Sequence, residues 1–350
     1  MNFSVWQLRV CLLCVLVLVS APLRAQAPRV EVPRVGIIDY YGLRKVPRDR
    51  VQKALAVKEG DAMPGSKADA LDRIDEIAGV VGSHIEAVCC DNGKAILFVG
   101  IEEKGARHFA FHSPPAGTVQ LPSEIVDEYG KFLVALEAAV RRGSVAEDLR
   151  SGHSLMADPE TRAAQQRFTE LAAANLRILR DVLHNSSDDE HRAIAAYLLG
   201  YAPKKRDVVD DLQYAMQDPD DGVRNNAMRA LGAILVLASR DKDSEIRIPP
   251  TWFVEMLNSI VWTDRNKAVM VLLNLTDARQ PAVLDLIRER ALQSLAEMAR
   301  WNSLPHAVGA FTLVGRLGGL TEDQIQSAWT TGERESVIAQ VLNPKAAKRK

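Results

Sequence analysis

The sequence predicts a small α+β domain, with elements in the order β-α-α-β-β, followed by an all-α solenoid of helix pairs. Three observations carry this. Asn92-Gly93 joins two apolar runs, residues 85–90 and 95–101, and Asn-Gly between apolar runs is the strongest short hairpin signal. Arg192, Ala195 and Leu199 share a spacing that recurs at Arg224, Ala227 and Leu231 and at Arg265, Ala268 and Leu272, the mark of a repeat architecture. Only 5% of the residues are aromatic, against 47% hydrophobic and 25% charged. That is a globular composition, and it speaks against a β-rich protein. With 44 basic and 45 acidic residues, the chain has no bulk attraction to nucleic acid or anionic lipid.

The N-terminus is laid out as a secretory signal peptide, residues 1–27. Arg9 precedes the uncharged run VCLLCVLVLV, which is too short for a comfortable membrane span. Ala25, Gln26 and Ala27 then form a small-residue cleavage site. Cleavage after Ala25 or after Ala27 are both open, as is a retained anchor. Pro28 is a poor fit to the second cut. Cys11 and Cys14 lie inside the run, which argues against a lipoprotein. No second span of sufficient length follows, so the mature chain is expected to be periplasmic or secreted, without an integral span.

Residues 30–104 form the first unit. Val35, Ile37, Ile38 and Tyr40 are a β-prone run closed by Gly42. Pro47 suits the first turn of a helix, with Val51 and Leu55 on one face. Gly60 and Pro64 break the chain. Ala70, Leu71, Ile74, Ile77 and Ala78 give a second helical stripe, ended by Gly79 and Gly82. The hairpin follows. This order resembles the POTRA family of periplasmic domains, through Gly42-Leu43-Arg44-Lys45-Val46, Lys58-Glu59-Gly60-Asp61 and a last strand closing on Glu102-Glu103. The resemblance implies protein binding by strand pairing. In that family the strand before the hairpin turn lies at a sheet edge, which makes Ile85, Ala87, Val88 and Cys89 candidate partner-binding positions. The chain has no barrel strands, so a barrel-assembly role is not implied. Cys89 and Cys90 are the only cysteines after the leader. On a regular strand their side chains point to opposite faces, so they are not expected to bridge each other without distorting the peptide between them, which gives one core and one exposed thiol. An intermolecular bridge or a vicinal redox pair are the alternatives.

Residues 105–175 read as a linker and a helical segment. Phe109, Phe111, Pro114, Pro115, Gly117 and Pro122 suggest an extended stretch that packs its phenylalanines on a neighbour. Ile125, Tyr129, Phe132, Leu133, Leu136, Ala139 and Val140 follow a helical stripe ended by Gly143. Residues 147–154 hold Glu147, Asp148, His153 and Ser154, the most chemistry-like cluster in the chain. An acid, a histidine and a serine could form a nucleophilic set, for a hydrolase or a ligand-binding loop. No nucleophile elbow accompanies them. Asp158-Pro159-Glu160 reads as the start of the next helix.

Residues 176–342 are the repeat array with its end cap. Ala and Leu four residues apart share a helix face, and Gly200 and Gly232 follow the leucine in two units. Leu212, Ala215 and Met216 precede the turn 218–222; Leu257, Ile260 and Val261 precede the third unit, and Leu284, Ile287, Ala291 and Leu295 the fourth. This pattern resembles HEAT repeats, most clearly over residues 212–232, with their Asp218-Pro219 turn, Val223-Arg224 pair and Ala-Leu-Gly ending. Arg192, Arg224, Arg265, Asp218 and Pro219 are expected to be structural, the arginines bonding to turns of adjacent repeats. Thr321 and Gln324 suggest a capping box, and residues 343–350 a basic tail. Trp252 and Trp262 are candidate binding anchors if exposed; otherwise they, Trp301 and Trp329 sit in the array.

Stacked helix pairs present a curved surface, and its concave side is the one expected to bind proteins or peptides. The function expected is a non-enzymatic scaffold or adaptor whose partner is a protein or peptide of the bacterial cell envelope, with no cofactor, no metal and no nucleic acid. Some HEAT-like enzymes use His-Glu metal pairs, but none of the seven histidines is followed by glutamate. No phosphate-binding glycine loop appears.

Overall fold

The computed structural model describes residues 34–107, 109–241 and 244–343, leaving aside the side chain of Cys90. The leader, with Cys11 and Cys14, and the basic tail beyond Asn343 lie outside the described residues, as does His108. The described residues belong to one compact unit, Pro33–Lys350.

The chain begins with β1 (Val35–Tyr41), α1 (Arg48–Leu55), α2 (Lys67–Asp75), β2 (Val80–Asp91) and β3 (Lys94–Glu103). The sheet order is β1-β3-β2, with β1 parallel and β2 antiparallel to the central β3. Asn92 and Gly93 both take positive φ, 49° and 75°, as a tight hairpin turn requires. Pro47 stands at the N-cap of α1, one place ahead of the helix it was expected to enter. Ser66 caps α2 by accepting from the Asp69 N–H. The Glu103 carboxylate accepts from the backbone N–H groups of Arg44, Lys45 and Val46, so it locks the end of β3 to the turn after β1.

Ala95 to Ile101 of β3 are all buried, without alternation. A strand reads this way when both faces of its sheet are covered. One face carries Ile38, Ile85, Leu97, Val99 and Ile101 against Val51, Leu55, Ala70 and Ile74 of α1 and α2. The other carries Tyr41, Ile96 and Phe98 into the core of the helical region.

After a turn at 104–106, residues 109–122 run extended along the helices. The His112 N–H donates to the Gln217 carbonyl, the Ser187 N–H to the Gly117 carbonyl, and the Leu121 N–H to His191 Nδ1. Phe109 is buried with its ring on Trp252 and Phe111. The segment thus passes successive helix turns in the direction opposite to their order in the chain. α3 (Ser123–Arg141) follows. Ile125, Phe132 and Ala139 face inward, but Leu133 and Val140, expected on the same apolar stripe, point to solvent.

A two-residue ladder of β4 (Glu147–Asp148) with β5 (Leu155–Met156) leads into α4 (Pro159–Asn185), capped by Asp158 as its sequence suggested. α4 is kinked at Asn175, whose side-chain amide donates to the Leu171 carbonyl. After it come α5 (Asp189–Leu199), a 3-10 turn, α6 (Val209–Ala215), α7 (Asp221–Arg240), α8 (Thr251–Met256) and α9 (Trp262–Leu275). α10 (Pro281–Arg290), α11 (Leu292–Ala299), α12 (Leu304–Leu317), α13 (Glu322–Thr330) and α14 (Arg334–Leu342) complete the chain. The apolar stripe from Leu284 to Leu295 was expected as one helix. It breaks at Ala291, where φ is −138°. Asp188 and Asp220 cap α5 and α7, and Thr321 with Gln324 forms the capping box of α13. Helices α5, α7, α9 and α12 stack in that order. Gly200 and Gly232 are the close points: a Cβ on Gly200 would lie 2.9 Å from the Ala230 methyl, and one on Gly232 3.4 Å from Val271. The described residues contain no helix long and apolar enough to cross a membrane.

Candidate functional site

Three buried arginines line the turns between paired helices. Arg192 gives both Nε and Nη2 to Asp218, at 2.8 and 2.9 Å, and Nη1 to the Ser186 carbonyl. Arg224 repeats the arrangement with Asp264 and with the Asp218 and Pro219 carbonyls. Arg265 donates Nε to the Ser259 carbonyl and holds its Nη1 3.5 Å from Glu297. Each arginine therefore links the carbonyl six residues behind it to an acid further along the chain. All are 2% exposed or less. The rungs are not equal. The bond to Asp218 holds the Arg192 guanidinium above its ordinary pKa, whereas burial, with a more distant acid, pushes Arg265 down. Arg192, Arg224, Arg265, Asp218 and Pro219 are thus internal ties. Asp264 and Glu297, the missing partners, escaped the sequence because no fixed spacing links them to their arginines.

The last rung meets the sheet. Tyr41 Oη donates to the Ile260 carbonyl at 2.7 Å, and the Arg265 guanidinium lies over the Tyr41 ring. Glu297 also accepts from the Gly42 N–H and pairs with Arg44. Asp39 accepts from the N–H groups of Asn302 and Ser303 and from the Asn302 amide, while burial raises its pKa. Glu86 accepts from the N–H and hydroxyl of Thr263; burial raises its pKa too. Phe98 stacks on Trp262 at 4.9 Å and packs against Trp301 and His306. Gly100 lets the backbones meet: a Cβ there would lie 2.1 Å from the Ile260 oxygen. The continuous apolar run of β3 was the available signal for this dock.

A cleft of about 500 Å³ opens beside the dock, lined among others by Arg44, Arg107, Arg265, Arg288 and Arg290. Each has an acid beside it, two of them shared: Arg44 and Arg265 with Glu297, Arg107 and Arg290 with Glu255, and Arg288 with Asp285. Among the described residues, no group of three or more His, Cys, Asp or Glu side chains could hold a metal ion.

The polar loop does not assemble the nucleophilic set considered for it. The buried Ser154 Oγ accepts from the Gln165 amide at 3.1 Å, and its carbonyl accepts from Tyr201 Oη. His153 Nδ1 lies 3.1 Å from Lys205 Nζ. Burial, with that lysine second, lowers His153 to about 4, and burial lowers Lys205 to about 8. Glu147 pairs with Arg229, and Asp148 with Arg150. Acid, histidine and serine each have a different partner, and the loop is tied to α4 through Gln165, to the segment after α5 through Tyr201 and Lys205, and to α7 through Arg229.

The candidate partner-binding residues divide. β2 is an edge strand of the sheet. Ile85 is buried between the sheet and helices α1 and α2, Ala87 is exposed, and Val88 packs toward the other helices. Cys89 is exposed and disulfide-bonded, so it is not a free thiol. The strand is not regular there, because the β2–β3 register shifts between Val88 and Asp91. Trp262 is not an exposed anchor: Phe98 covers it. Trp252 is partly covered by Phe109.

Residues 176–248 match the family profile of HEAT repeats. The helical region accordingly has HEAT-repeat character, and HEAT repeats generally mediate protein–protein interaction. No curated protein matches the chain.

Proposed function

We propose that the protein is a non-enzymatic interaction scaffold of the cell envelope, exported by the leader at residues 1–27. In this reading residues 30–104 are a POTRA-like domain seated on a HEAT-like solenoid, residues 176–342. The observation that carries it is the HEAT-repeat match over residues 176–248, whose arginine ladder is consumed internally and leaves the outer helix faces for partners. Two surfaces suit the role. The β2 edge offers backbone groups for strand pairing, with Ala87 outward. On α9, Met270 is 55% exposed, and a flexible thioether adapts to a peptide partner.

Photo-crosslinking residues placed at Ala87 and at Met270 in the full chain test this in intact cells. A discrete envelope protein captured at either position, and lost on Val88→Pro or Met270→Glu respectively, is expected. Absence of any discrete product from both positions, with the protein folded and exported, would overturn the scaffold reading. N-terminal sequencing of the same preparation, expected to start after Ala25 or Ala27, checks export separately.

A further inference from the structure

We propose that the cleft beside the sheet binds a carboxylate, which takes the place of the acid that the third rung of the arginine ladder lacks. In the first two rungs an aspartate grips the guanidinium by two nitrogens: Asp218 on Nε and Nη2 of Arg192, and Asp264 on the same pair of Arg224. Arg265 has no such grip. Its Nε donates to the Ser259 carbonyl, and its buried Nη1 makes no hydrogen bond. Glu297 stands 3.5 Å from that Nη1, but other donors hold it there. One of its carboxylate oxygens accepts from the Gly42 N–H and the other from Arg44. A guanidinium stays charged at any working pH and is matched best by a planar, two-pronged acceptor. Arg265 is only 2% exposed, and a buried charge without a matched partner is destabilising.

The cleft is where that partner enters. Arg265 lines it, and so does Arg290, whose Nε is also buried without a partner. Arg290 Nη1 donates to Glu255 at 2.7 Å, on the same oxygen that lies 3.4 Å from Arg107 Nη2, so one oxygen serves two cations. Two arginines that keep unused donors thus line one space of about 500 Å³, a size common to small-ligand sites. Ile101, Ile260 and Leu292 give it apolar wall for the body of an acid. Glu102 and the exposed Glu289 line it too. Recognition therefore comes from directed N–H groups rather than from bulk charge, and a compact acid is favoured over a polyanion. Both complete rungs are arginine–carboxylate pairs, so the pattern specifies a carboxylate. Its source is a free small acid or an acidic residue of a peptide.

Isothermal calorimetry of the full chain tests this with two probes, succinate and the blocked peptide acetyl-Ala-Ala-Glu-Ala-Ala-amide. Succinamide, which keeps the shape of succinate and lacks its charge, is the control. At least one of the acids is expected to bind, one per chain, and succinamide is not. Arg290→Gln should weaken binding by about tenfold. Gln293→Trp, which fills the cleft from an exposed position on its wall, should abolish it. Arg265→Lys should abolish it as well; if circular dichroism shows that variant unfolded, the other two decide. Binding of succinate alone assigns the site to a free acid, and tighter binding of the peptide assigns it to an acidic residue of a protein; either supports the carboxylate. No binding of either acid at millimolar concentration, equal binding of succinamide, inorganic phosphate binding tighter than both acids, or an affinity unchanged by Arg290→Gln and Gln293→Trp would each overturn the proposal.

Discussion

Replacing Gly100 by alanine should loosen the sheet from the helices while leaving each intact. The added methyl would sit 2.1 Å from the Ile260 oxygen and close to the Tyr41 ring, whereas a relaxed contact needs about 3.5 Å. The two layers must therefore separate by more than 1 Å, and a gap of 0.5–1 Å already forfeits about a quarter to a half of each dispersion contact. The Tyr41–Ile260 hydrogen bond at 2.7 Å stretches with it. Overpacking of about 1–3 kcal/mol plus about 1 kcal/mol for that bond gives an expected loss of about 2–4 kcal/mol. Urea unfolding followed by tryptophan emission reads it directly, because Trp262 and Trp301 both pack on Phe98 at the dock. The variant should unfold at lower urea, with its native emission shifted to the red and more readily quenched. Gly65→Ala is the control: its Cβ meets nothing and its φ is not positive. A Gly100→Ala protein matching wild type in midpoint and emission would refute the close approach at Ile260.

Asp264→Ala should cost about 3–5 kcal/mol, because it strands the buried Arg224 guanidinium; equilibrium denaturation checks it, and loss below about 1 kcal/mol would contradict the ladder. Stability should also depend on pH. Burial lowers Lys205 and Lys267 from 10.5 to about 8, so between these values the unfolded chain binds more protons and stability rises with pH. The rise should be seen from about pH 8 to 10, before burial-raised tyrosines such as Tyr40 oppose it. Lys205→Met should flatten the rise; a Lys205→Met profile parallel to wild type would remove that lysine from the explanation.

A sheet region ahead of a run of helices could be read from the chain because its signals are local. Asn92-Gly93 needs positive φ at both residues, and Asp158-Pro159 and Thr321 with Gln324 start helices by their own chemistry. Arg192, Arg224 and Arg265 were visible through their shared spacing. Asp218 was visible as a turn residue, but Asp264 and Glu297 were not, since they lie at different separations from their arginines. Leu133 and Val140 fitted a helical stripe and yet face outward, because periodicity marks a face without saying what covers it. The dock was hidden for a similar reason. Phe98 and Trp262 are distant in sequence, and an apolar run in β3 says only that both sides are covered. At the polar loop, adjacency of His153 and Ser154 left open an alternative that the fold removes, by separating them between Lys205 and Gln165.

The extended stretch from Phe109 to Leu121 changes the mechanics of the helix row. Stacked pairs that touch only their neighbours behave as a spring: they stretch, twist and unravel one unit at a time. Here a single length of backbone is pinned at Trp252, Gln217, Ser187 and His191, crossing units that would otherwise slide independently. Its far end is anchored through the sheet at Asn302 and Ser303. Pulling the row apart must therefore strip this backstay first, so the row should resist extension as one piece and hold a fixed curvature.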